Sequence, residues 1–380
     1  MLAIDFGARS IKAVQLSRTG NGFRLDNFGL VLTPHESILH GEIKDANAVT
    51  LALEKMLRKK GINERKGIIA ITGQKVVVRE ITTPLMNEKE LIDGLQWEAP
   101  KYVPYDLKES LLDAKKIEEL EDKEGGKMMK VLLVAAPKSL VTQQAEVLKN
   151  TRIQPKIVDI VSNAQIRAFE SYLTPASSNK EGDGNQMDII ISMGASTTEI
   201  TLIEGNRLKF TRTILKGGND INKMIEKKME ISFSEAEILK RRVGLSLPDE
   251  AVEKDETGEI AEEKVKKKAE EPKDEDLPNK EEISELISSG VHSIFNEIRK
   301  SLNYYKTQYQ KVTYRSIILT GGMAAMPNVG QLLKQQFGIT VIMANPLKGI
   351  VVNEGNINME NLDKYKRCLS TAIGLAKRER

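Results

Sequence analysis

The sequence predicts an α/β protein of two lobes, because similar glycine-containing turns occur once in each half of the 380-residue chain. The first turn lies in residues 5–12 (DFGARSIK) and the second in residues 192–198 (SMGASTT). Each follows a short apolar run, which predicts that each turn joins two strands of a β-hairpin. Glycine lets the backbone approach an anion, and consecutive N–H groups in such a turn form an anion-binding nest. Two such turns in separate halves predict two lobes that close on one polyphosphate.

Two further glycine-containing segments lie in the second half of the chain. Residues 317–327 (IILTGGMAAMP) are predicted to be a buried strand that runs into Gly321-Gly322. Because glycine has no Cβ atom, a flat base can lie against the backbone there. Residues 216–220 (KGGND) precede a helix predicted over 221–229, and their Asn and Asp residues are typical helix N-caps.

In this order, the four segments resemble the motifs of the actin-like ATPase superfamily, which includes FtsA, MreB, the heat-shock chaperone ATPases and sugar kinases. Residues 98–105 (EAPKYVPY) and 372–376 (AIGLA) also resemble the PilM family of type IV pilus assembly. The resemblance extends from residue 1 to about residue 378, apart from one charged insertion. It implies a two-lobed actin-like (ribonuclease H-like) fold with a small α/β subdomain inserted in the first lobe.

This resemblance and the changes in composition along the chain predict the domain organisation. The core of the first lobe takes residues 1–82, completed by 157–186 and 355–380. Residues 83–156 form the inserted subdomain, and residues 187–354 form the second lobe. Within the second lobe, Glu, Lys and Asp dominate residues 245–280, which predicts a solvated helix or a flexible insertion.

Periodicity and turn residues predict several local elements. Apolar residues at helical spacing predict a helix over 46–60 that Gly61 ends. Residues 67–71 and 76–81 are predicted to be two strands that pair around Thr72-Gly73. In the second lobe, residues 217–244 are predicted to be helical, and residues 281–310 to form a long amphipathic helix.

Composition excludes several classes of function. The 57 basic and 54 acidic residues nearly balance and only 4% of residues are aromatic, which argues against a nucleic-acid partner. One cysteine, Cys368, excludes a disulfide framework and fits a reducing cytoplasm. The three histidines lack zinc-type spacing. Asp5 interrupts the first apolar run, and no apolar stretch reaches about 18 residues, so neither a signal peptide nor direct membrane insertion is expected.

The resemblance implies ATP and Mg²⁺ as cofactors. It assigns Asp5 a catalytic role and a contact to the metal through water, which suits a cation that keeps its waters. The residues implied in phosphate contact are Gly7, Ala8, Arg9, Ser10, Lys12, Ser192, Gly194, Ala195, Ser196, Thr197, Thr198, Gly217 and Gly218. Those implied in adenosine contact are Glu237, Lys240, Gly321, Gly322, Met323 and Ala324.

Two positions put efficient hydrolysis in doubt. FtsA, chaperones and kinases place Asp where this chain has Ser192, and serine adds no charge. Actin-like ATPases also place Gln, Glu or Asp after a first-lobe strand to orient water, and Asp159 is the nearest candidate for that catalytic role. The sequence therefore predicts ATP binding with at most weak ATPase activity.

The resemblance also implies a partner. In PilM-like proteins a groove beside the inserted subdomain takes the cytoplasmic N-terminal peptide of PilN, a bitopic membrane protein, and Lys101, Tyr102 and Pro104 match this region. The predicted location is the cytoplasmic face of the inner membrane, reached through that partner. Other pilus assembly proteins and a second copy of the chain are further candidate partners. A filament-forming ATPase like FtsA or MreB and a small-molecule kinase are the alternatives.

Overall fold

The computed structural model describes residues 1–20, 22–173, 185–245, 279–309, 312–355 and 357–378. The first half contains β1 (Leu2–Phe6), β2 (Ser10–Thr19), β3 (Gly22–Leu32), β4 (Ile38–Leu39), β5 (Glu42–Ile43), α1 (Ala46–Lys59), β6 (Lys66–Ile71), β7 (Val77–Pro84), α2 (Glu88–Glu98), β8 (Ser110–Glu121), β9 (Lys127–Pro137), α3 (Lys138–Asn150), β10 (Gln154–Ile160) and α4 (Val161–Ala168). The second half contains β11 (Asn185–Met193), β12 (Thr198–Glu204), β13 (Arg207–Ile214), α5 (Gly218–Met229), α6 (Phe233–Val243), α7 (Lys280–Gln308), β14 (Val312–Thr320), α8 (Val329–Phe337), β15 (Thr340–Met343), β16 (Ile350–Val352), α9 (Met359–Tyr365) and α10 (Ser370–Ala376).

The first lobe is built on a six-stranded mixed sheet in the order β10-β6-β1-β2-β3-β16. Its strand β1 is buried on both faces: Leu2 and Ile4 pack with α1 and α3, whereas Ala3 packs with α4 and α10. The helices α4 and α10 approach so closely that a Cβ atom on Gly374 would lie 1.7 Å from the carbonyl oxygen of Ala164. This glycine is therefore required by packing.

The second lobe repeats this plan with a five-stranded sheet in the order β13-β12-β11-β14-β15. In each lobe two consecutive strands form an antiparallel hairpin, β1–β2 in the first and β11–β12 in the second. On the other edge of the first of these strands, a further strand pairs in parallel: β6 with β1, and β14 with β11. Helices α5, α6 and α7 cover one face, where Ile221, Ala236 and Phe295 join the core. The predicted α/β, two-lobed architecture is confirmed.

The inserted subdomain consists of the three-stranded sheet β7-β9-β8 with α2 packed on it. The prediction that residues 67–71 pair with residues 76–81 is wrong, because β6 lies in the first-lobe sheet and β7 pairs with β9. The boundary drawn at residue 83 accordingly falls inside β7. Helix α2 begins with a capping box, in which Asn87 Oδ1 accepts from Glu90 N and Glu90 Oε2 accepts from Asn87 N, both at 3.0 Å.

Two other segments lie where the sequence did not predict them. Strand β16 pairs with β3 and thus returns the chain to the first lobe before residue 355. Helix α3 packs on α1, and its Val147 and Leu148 belong to the first-lobe core. Most of the linker 174–186 and of the charged insertion 245–280 lies outside the described residues, which include only 185, 186, 245, 279 and 280 of these segments.

The inserted subdomain contacts the second lobe through charged side chains. Glu80 of β7 pairs with Lys209 of β13 at 3.1 Å, and Arg207 of the same strand pairs with Glu118 of β8. Lys130 of β9 links the two carboxylates, at 3.2 Å from Glu80 and 2.7 Å from Glu118. Hydrogen bonds from Lys130 and Arg207 lower the pKa of Glu118 to about 2. Over the described ranges, no helix is both long and apolar enough to span a bilayer.

Candidate functional site

A cleft of about 1050 Å³ lies between the two lobes, and both hairpin turns line it. This volume is at the upper end of the range of about 300–1000 Å³ typical of small-molecule sites. The predicted residues that line it are Asp5, Gly7, Ala8, Arg9, Ser10, Lys12, Ser192, Gly194, Ala195, Ser196, Thr197, Gly218, Glu237, Lys240, Gly321, Gly322 and Met323. The structure thus brings together residues that are far apart in sequence.

The first turn joins β1 to β2 and is closed by a hydrogen bond from Gly7 N to Ser10 O at 3.2 Å. A Cβ atom on Gly7 would lie 2.9 Å from Ser10 O and 2.5 Å from Lys12 Nζ, so a side chain there would fill the turn. Lys12 is opposite Asp5 in the strand register and donates to Asp5 Oδ2 at 2.9 Å. One cation and one carboxylate therefore stand beside the turn.

The second turn joins β11 to β12 and is closed by a hydrogen bond from Gly194 N to Thr197 O at 2.9 Å. The start of α5 packs against it: Gly218 N donates to Gly194 O at 3.0 Å. A Cβ atom on Gly217 would lie 2.6 Å from Ala195 O, which explains this glycine. Because a helix N-terminus carries partial positive charge, α5 adds to the attraction for an anion.

Three of the predicted residues are not among those that line the cleft. Thr198 is buried and donates through Oγ1 to Lys216 O at 3.0 Å. Gly217 is the N-cap of α5, and Ala324 is buried. The expectation that Asn219 or Asp220 caps α5 is wrong, since Asp220 lies within the first turn of the helix and accepts from Gly217 N at 2.7 Å.

A buried ion pair stands at the side of the cleft formed by α6. Glu237 and Lys240 are each 5% exposed, and Lys240 Nζ lies 2.7 Å from Glu237 Oε2. Asn222 and Arg241 also donate to Glu237, at 2.7 and 2.6 Å. Burial by itself would raise the pKa of Glu237, but the Lys240 charge and these hydrogen bonds lower it to about 2. Arg9 of the first lobe faces the same carboxylate, with 3.7 Å between Nε and Oε1.

Gly321 and Gly322 follow β14 at the adjacent wall of the cleft. Gly321 has a φ of +94°, and a Cβ atom there would lie 2.4 Å from the carbonyl oxygen of Met193. Both the conformation and the contact require glycine. Cys368 also lines this wall, and burial raises the pKa of its thiol. The bare backbone of Gly321-Gly322 offers a flat surface.

The polar residues that line the cleft without having been singled out by the motifs include Thr72, Gln165 and Glu199. Gln165 lies on α4, is 1% exposed, and its Oε1 has no hydrogen-bond partner within the described residues. Glu199 is 6% exposed and accepts from Thr72 Oγ1 of the other lobe at 2.6 Å. Burial raises the pKa of Glu199 to about 7, and Asp5 adds to the shift. Its position directly after Thr197-Thr198 was the available sequence signal.

Asp159 is not positioned for the catalytic role predicted for it. Its Oδ2 pairs with Arg167 Nη2 at 2.6 Å and Arg378 Nη1 at 2.7 Å, and it is not among the residues that line the cleft. Its Oδ1 accepts from Ile160 N at 2.8 Å. These contacts give Asp159 a structural role at the end of β10.

The residues of the predicted partner groove lie on the inserted subdomain, away from the cleft. Lys101 pairs with Glu98 at 2.9 Å, Tyr102 is 37% exposed and Pro104 is exposed, while Val103 anchors the segment in the core. Trp97 at the end of α2 is 74% exposed, which is unusual for a large apolar side chain.

The described residues contain no group of three or more His, Cys, Asp or Glu side chains that could hold a metal ion by themselves. A cation in the cleft would therefore take most ligands from water and from a bound anion. Mg²⁺ favours that arrangement, because it keeps several waters and uses few carboxylates. Asp5 fits a contact through water.

Each lobe contains a mixed sheet that begins with a β-hairpin, and the turns of both hairpins face one cleft. This arrangement defines an actin-like fold. The family model described as "Type IV pilus assembly protein PilM" matches residues 3–254. The chain belongs to this family, which confirms the predicted resemblance. A second model, for the cell division protein FtsA, matches residues 189–374.

Solved structures agree with this assignment of the fold. A PilM–PilN type IV pilus biogenesis complex is 21% identical, with a TM-score of 0.78, and the match covers 99% of this chain and 97% of that one. The ethanolamine utilization protein EutJ from Carboxydothermus hydrogenoformans is 12% identical, with a TM-score of 0.53, over 99% and 88% of the two chains.

Curated relatives include FtsA proteins. FtsA of Bacillus subtilis is 23% identical over 368 residues, which cover 91% of this chain and 78% of that protein. FtsA of Enterococcus hirae is 27% identical over 226 residues, or 57% of this chain. The chain spans about half (48%) of the length of the Enterococcus hirae protein.

Proposed function

We propose that this chain binds an adenine nucleotide with Mg²⁺ in the cleft between its lobes. The observation that carries the proposal is the meeting of both glycine turns, Gly7 and Gly194, at one cleft. The N–H groups of the turn residues that follow these glycines, the start of α5 and the Lys12 ammonium supply positive potential from both lobes. A polyphosphate is the ligand whose charge and length suit two facing anion sites.

Residue types elsewhere in the cleft favour a nucleoside at the other end of that polyphosphate. Glu237 offers a carboxylate to ribose hydroxyls, and Lys240 beside it is a hydrogen-bond donor. Gly321 and Gly322 leave room for a flat base against the backbone. Asp5 is suited to hold a metal-bound water, and Mg²⁺ there would neutralise phosphate charge.

A titration of the purified protein with Mg-ATP tests this part of the proposal. In Gly194→Val a side chain enters the turn, where even a Cβ atom would lie 2.9 Å from Thr197 O, so binding should be lost. The control is Gly20→Val, because a Cβ atom there has no neighbour within 4 Å. Equal binding by both variants would contradict the site.

We further propose that the chain acts as the cytoplasmic component of a type IV pilus inner-membrane complex and binds the N-terminal peptide of a PilN-type membrane protein. Membership of the PilM family supports this role, as does the similarity to a PilM–PilN complex. The exposed Trp97 and Tyr102 favour the inserted subdomain as the peptide site. The ion pair between Glu80 and Lys209 would link that subdomain to closure of the lobes.

Fluorescence anisotropy with a labelled PilN-type N-terminal peptide tests the partner. Tyr102→Ala should weaken binding at least about tenfold, as expected for an aromatic interface residue. Tyr304→Ala on α7 is the control, since Tyr304 is also exposed but lies in the second lobe. Absence of peptide binding, with and without Mg-ATP, would overturn the partner proposal and leave the nucleotide site unaffected.

A further inference from the structure

Glu199 differs from the other carboxylates of the cleft because no cation pairs with it in the described part of the chain. Asp5 is paired with Lys12, and Glu237 with Lys240. Among the described residues, Glu199 instead accepts one hydrogen bond, from the neutral hydroxyl of Thr72 at 2.6 Å. Burying an ionised carboxylate that accepts from only one neutral donor costs free energy. It also retains free lone pairs for a ligand or water in the cleft.

The strand register places Glu199 beside the second turn. Glu199 on β12 is directly opposite Ser192 on β11. Side chains at opposed antiparallel positions lie on one face of the sheet, about 4.5–5.5 Å apart at their Cβ atoms. Thr213 on β13 is the next residue of the same row. Within this row Glu199 is the residue that carries a carboxylate, and Ser192 carries a hydroxyl.

The first lobe closes over this carboxylate from the opposite side. Thr72 follows β6, and Gln165 on α4 lines the cleft with its Oε1 unpartnered among the described residues. His40 of the β4–β5 hairpin contacts the second turn beside Glu199, with its N 3.2 Å from Ser196 Oγ and its Nδ1 3.0 Å from Ser196 O. Polar groups of the first lobe thus reach Glu199 and the second turn, through Thr72 and His40.

We propose that Glu199 is a catalytic residue of slow ATP hydrolysis, which orients the attacking water and accepts its proton. The inference rests on the proposed nucleotide site and adds an activity to it. Slow hydrolysis agrees with the expectation of at most weak ATPase activity, and the carboxylate that is absent at Ser192 is present on the neighbouring strand, at Glu199.

The step consumes one water. The water oxygen forms a bond to the terminal phosphorus, while the bond from that phosphorus to the bridging oxygen breaks and leaves its electron pair on ADP. The water proton passes to the Glu199 carboxylate and from there to solvent. No redox partner is needed. Positioning and proton acceptance by one side chain commonly contribute about 10²–10⁴-fold to a rate.

The test compares wild type, Glu199→Gln and Thr201→Val. Thr201 is two residues along β12 on the same face, and its buried Oγ1 has no partner within the described residues, so valine should fit there. Three quantities are measured: binding of Mg-ADP, the gain in Mg-ADP affinity when aluminium fluoride is added, and phosphate release from Mg-ATP in a single turnover.

Wild type and Thr201→Val should release phosphate, and aluminium fluoride should tighten their binding of ADP at least about 10²-fold, as expected of a transition-state mimic. Glu199→Gln should bind Mg-ADP as wild type does, yet lose this gain and release phosphate at least about 10²-fold more slowly. Wild type that binds nucleotide without hydrolysis, or Glu199→Gln that hydrolyses normally, would overturn the inference alone. Wild type that binds no nucleotide would instead overturn the proposed site.

Discussion

Replacing Glu237 is expected to destabilise the protein much more than replacing Lys240, although the two form one ion pair. Both side chains are 5% exposed. Without Glu237, Lys240 keeps only its hydrogen bond to Gly218 O at 2.9 Å. Without Lys240, Glu237 keeps its hydrogen bonds from Asn222 and Arg241 at 2.7 and 2.6 Å. The two losses therefore leave very different environments for the remaining charge.

Removing one partner of a buried pair typically costs about 3–5 kcal/mol, and we expect this cost for Glu237→Leu. Lys240→Met should cost about 1.5–3 kcal/mol, the value of a hydrogen bond to a charged group, because Glu237 keeps its other donors. The double variant should cost at least about 1 kcal/mol less than the sum, because no charge is left unpaired.

Urea unfolding of the four proteins at pH 7 gives these free energies from the midpoint and slope. The exposed pair Glu297–Lys300 provides a matched control at the same i,i+3 spacing, and Lys300→Met should change the midpoint little. Equal costs for Glu237→Leu and Lys240→Met, or additive costs in the double variant, would refute the reasoning.

Three other outcomes are expected. Gly321→Ala should lower the free energy of unfolding by about 2 kcal/mol or more relative to Gly20→Ala, since Gly321 has φ +94° and no space for a Cβ atom; unchanged urea midpoints would contradict this. Burial raises the pKa of Glu199 to about 7 in the folded protein, from an ordinary value of 4.5 that applies when the chain is unfolded. Stability should therefore fall by about 3 kcal/mol as pH rises from 4.5 to 7, and Glu199→Gln should remove that fall in thermal melts across this range. Trp97→Ser should weaken peptide binding without lowering the melting temperature, because Trp97 is 74% exposed; a lowered melting temperature would argue for a structural role.

Local sequence signals predicted much of the fold. The turns at Gly7 and Gly194 were recognisable because consecutive hairpin strands lie next to each other in space. Their positions within each lobe then follow from the shared plan of the two sheets. The N-terminus of α2 was predictable from Asn87, since a capping box involves only neighbouring residues.

Contacts between distant segments could not be predicted in the same way. Strand β16 has three residues, too few for a periodic pattern, and pairs with β3. Asp159 has the residue type of a catalytic group, but its pairing with Arg378 depends on the packing of α10 against α4. Glu199 follows the turn motif directly, yet its partner Thr72 comes from the other lobe.

The most direct test of the account is equilibrium dialysis of the purified chain against Mg-ATP and Mg-ADP, with Gly194→Val and Gly20→Val measured in parallel. The account predicts one nucleotide bound per wild-type chain, the same for Gly20→Val, and none for Gly194→Val. Absence of nucleotide binding by the folded wild-type chain, or binding that Gly194→Val does not change, would contradict it.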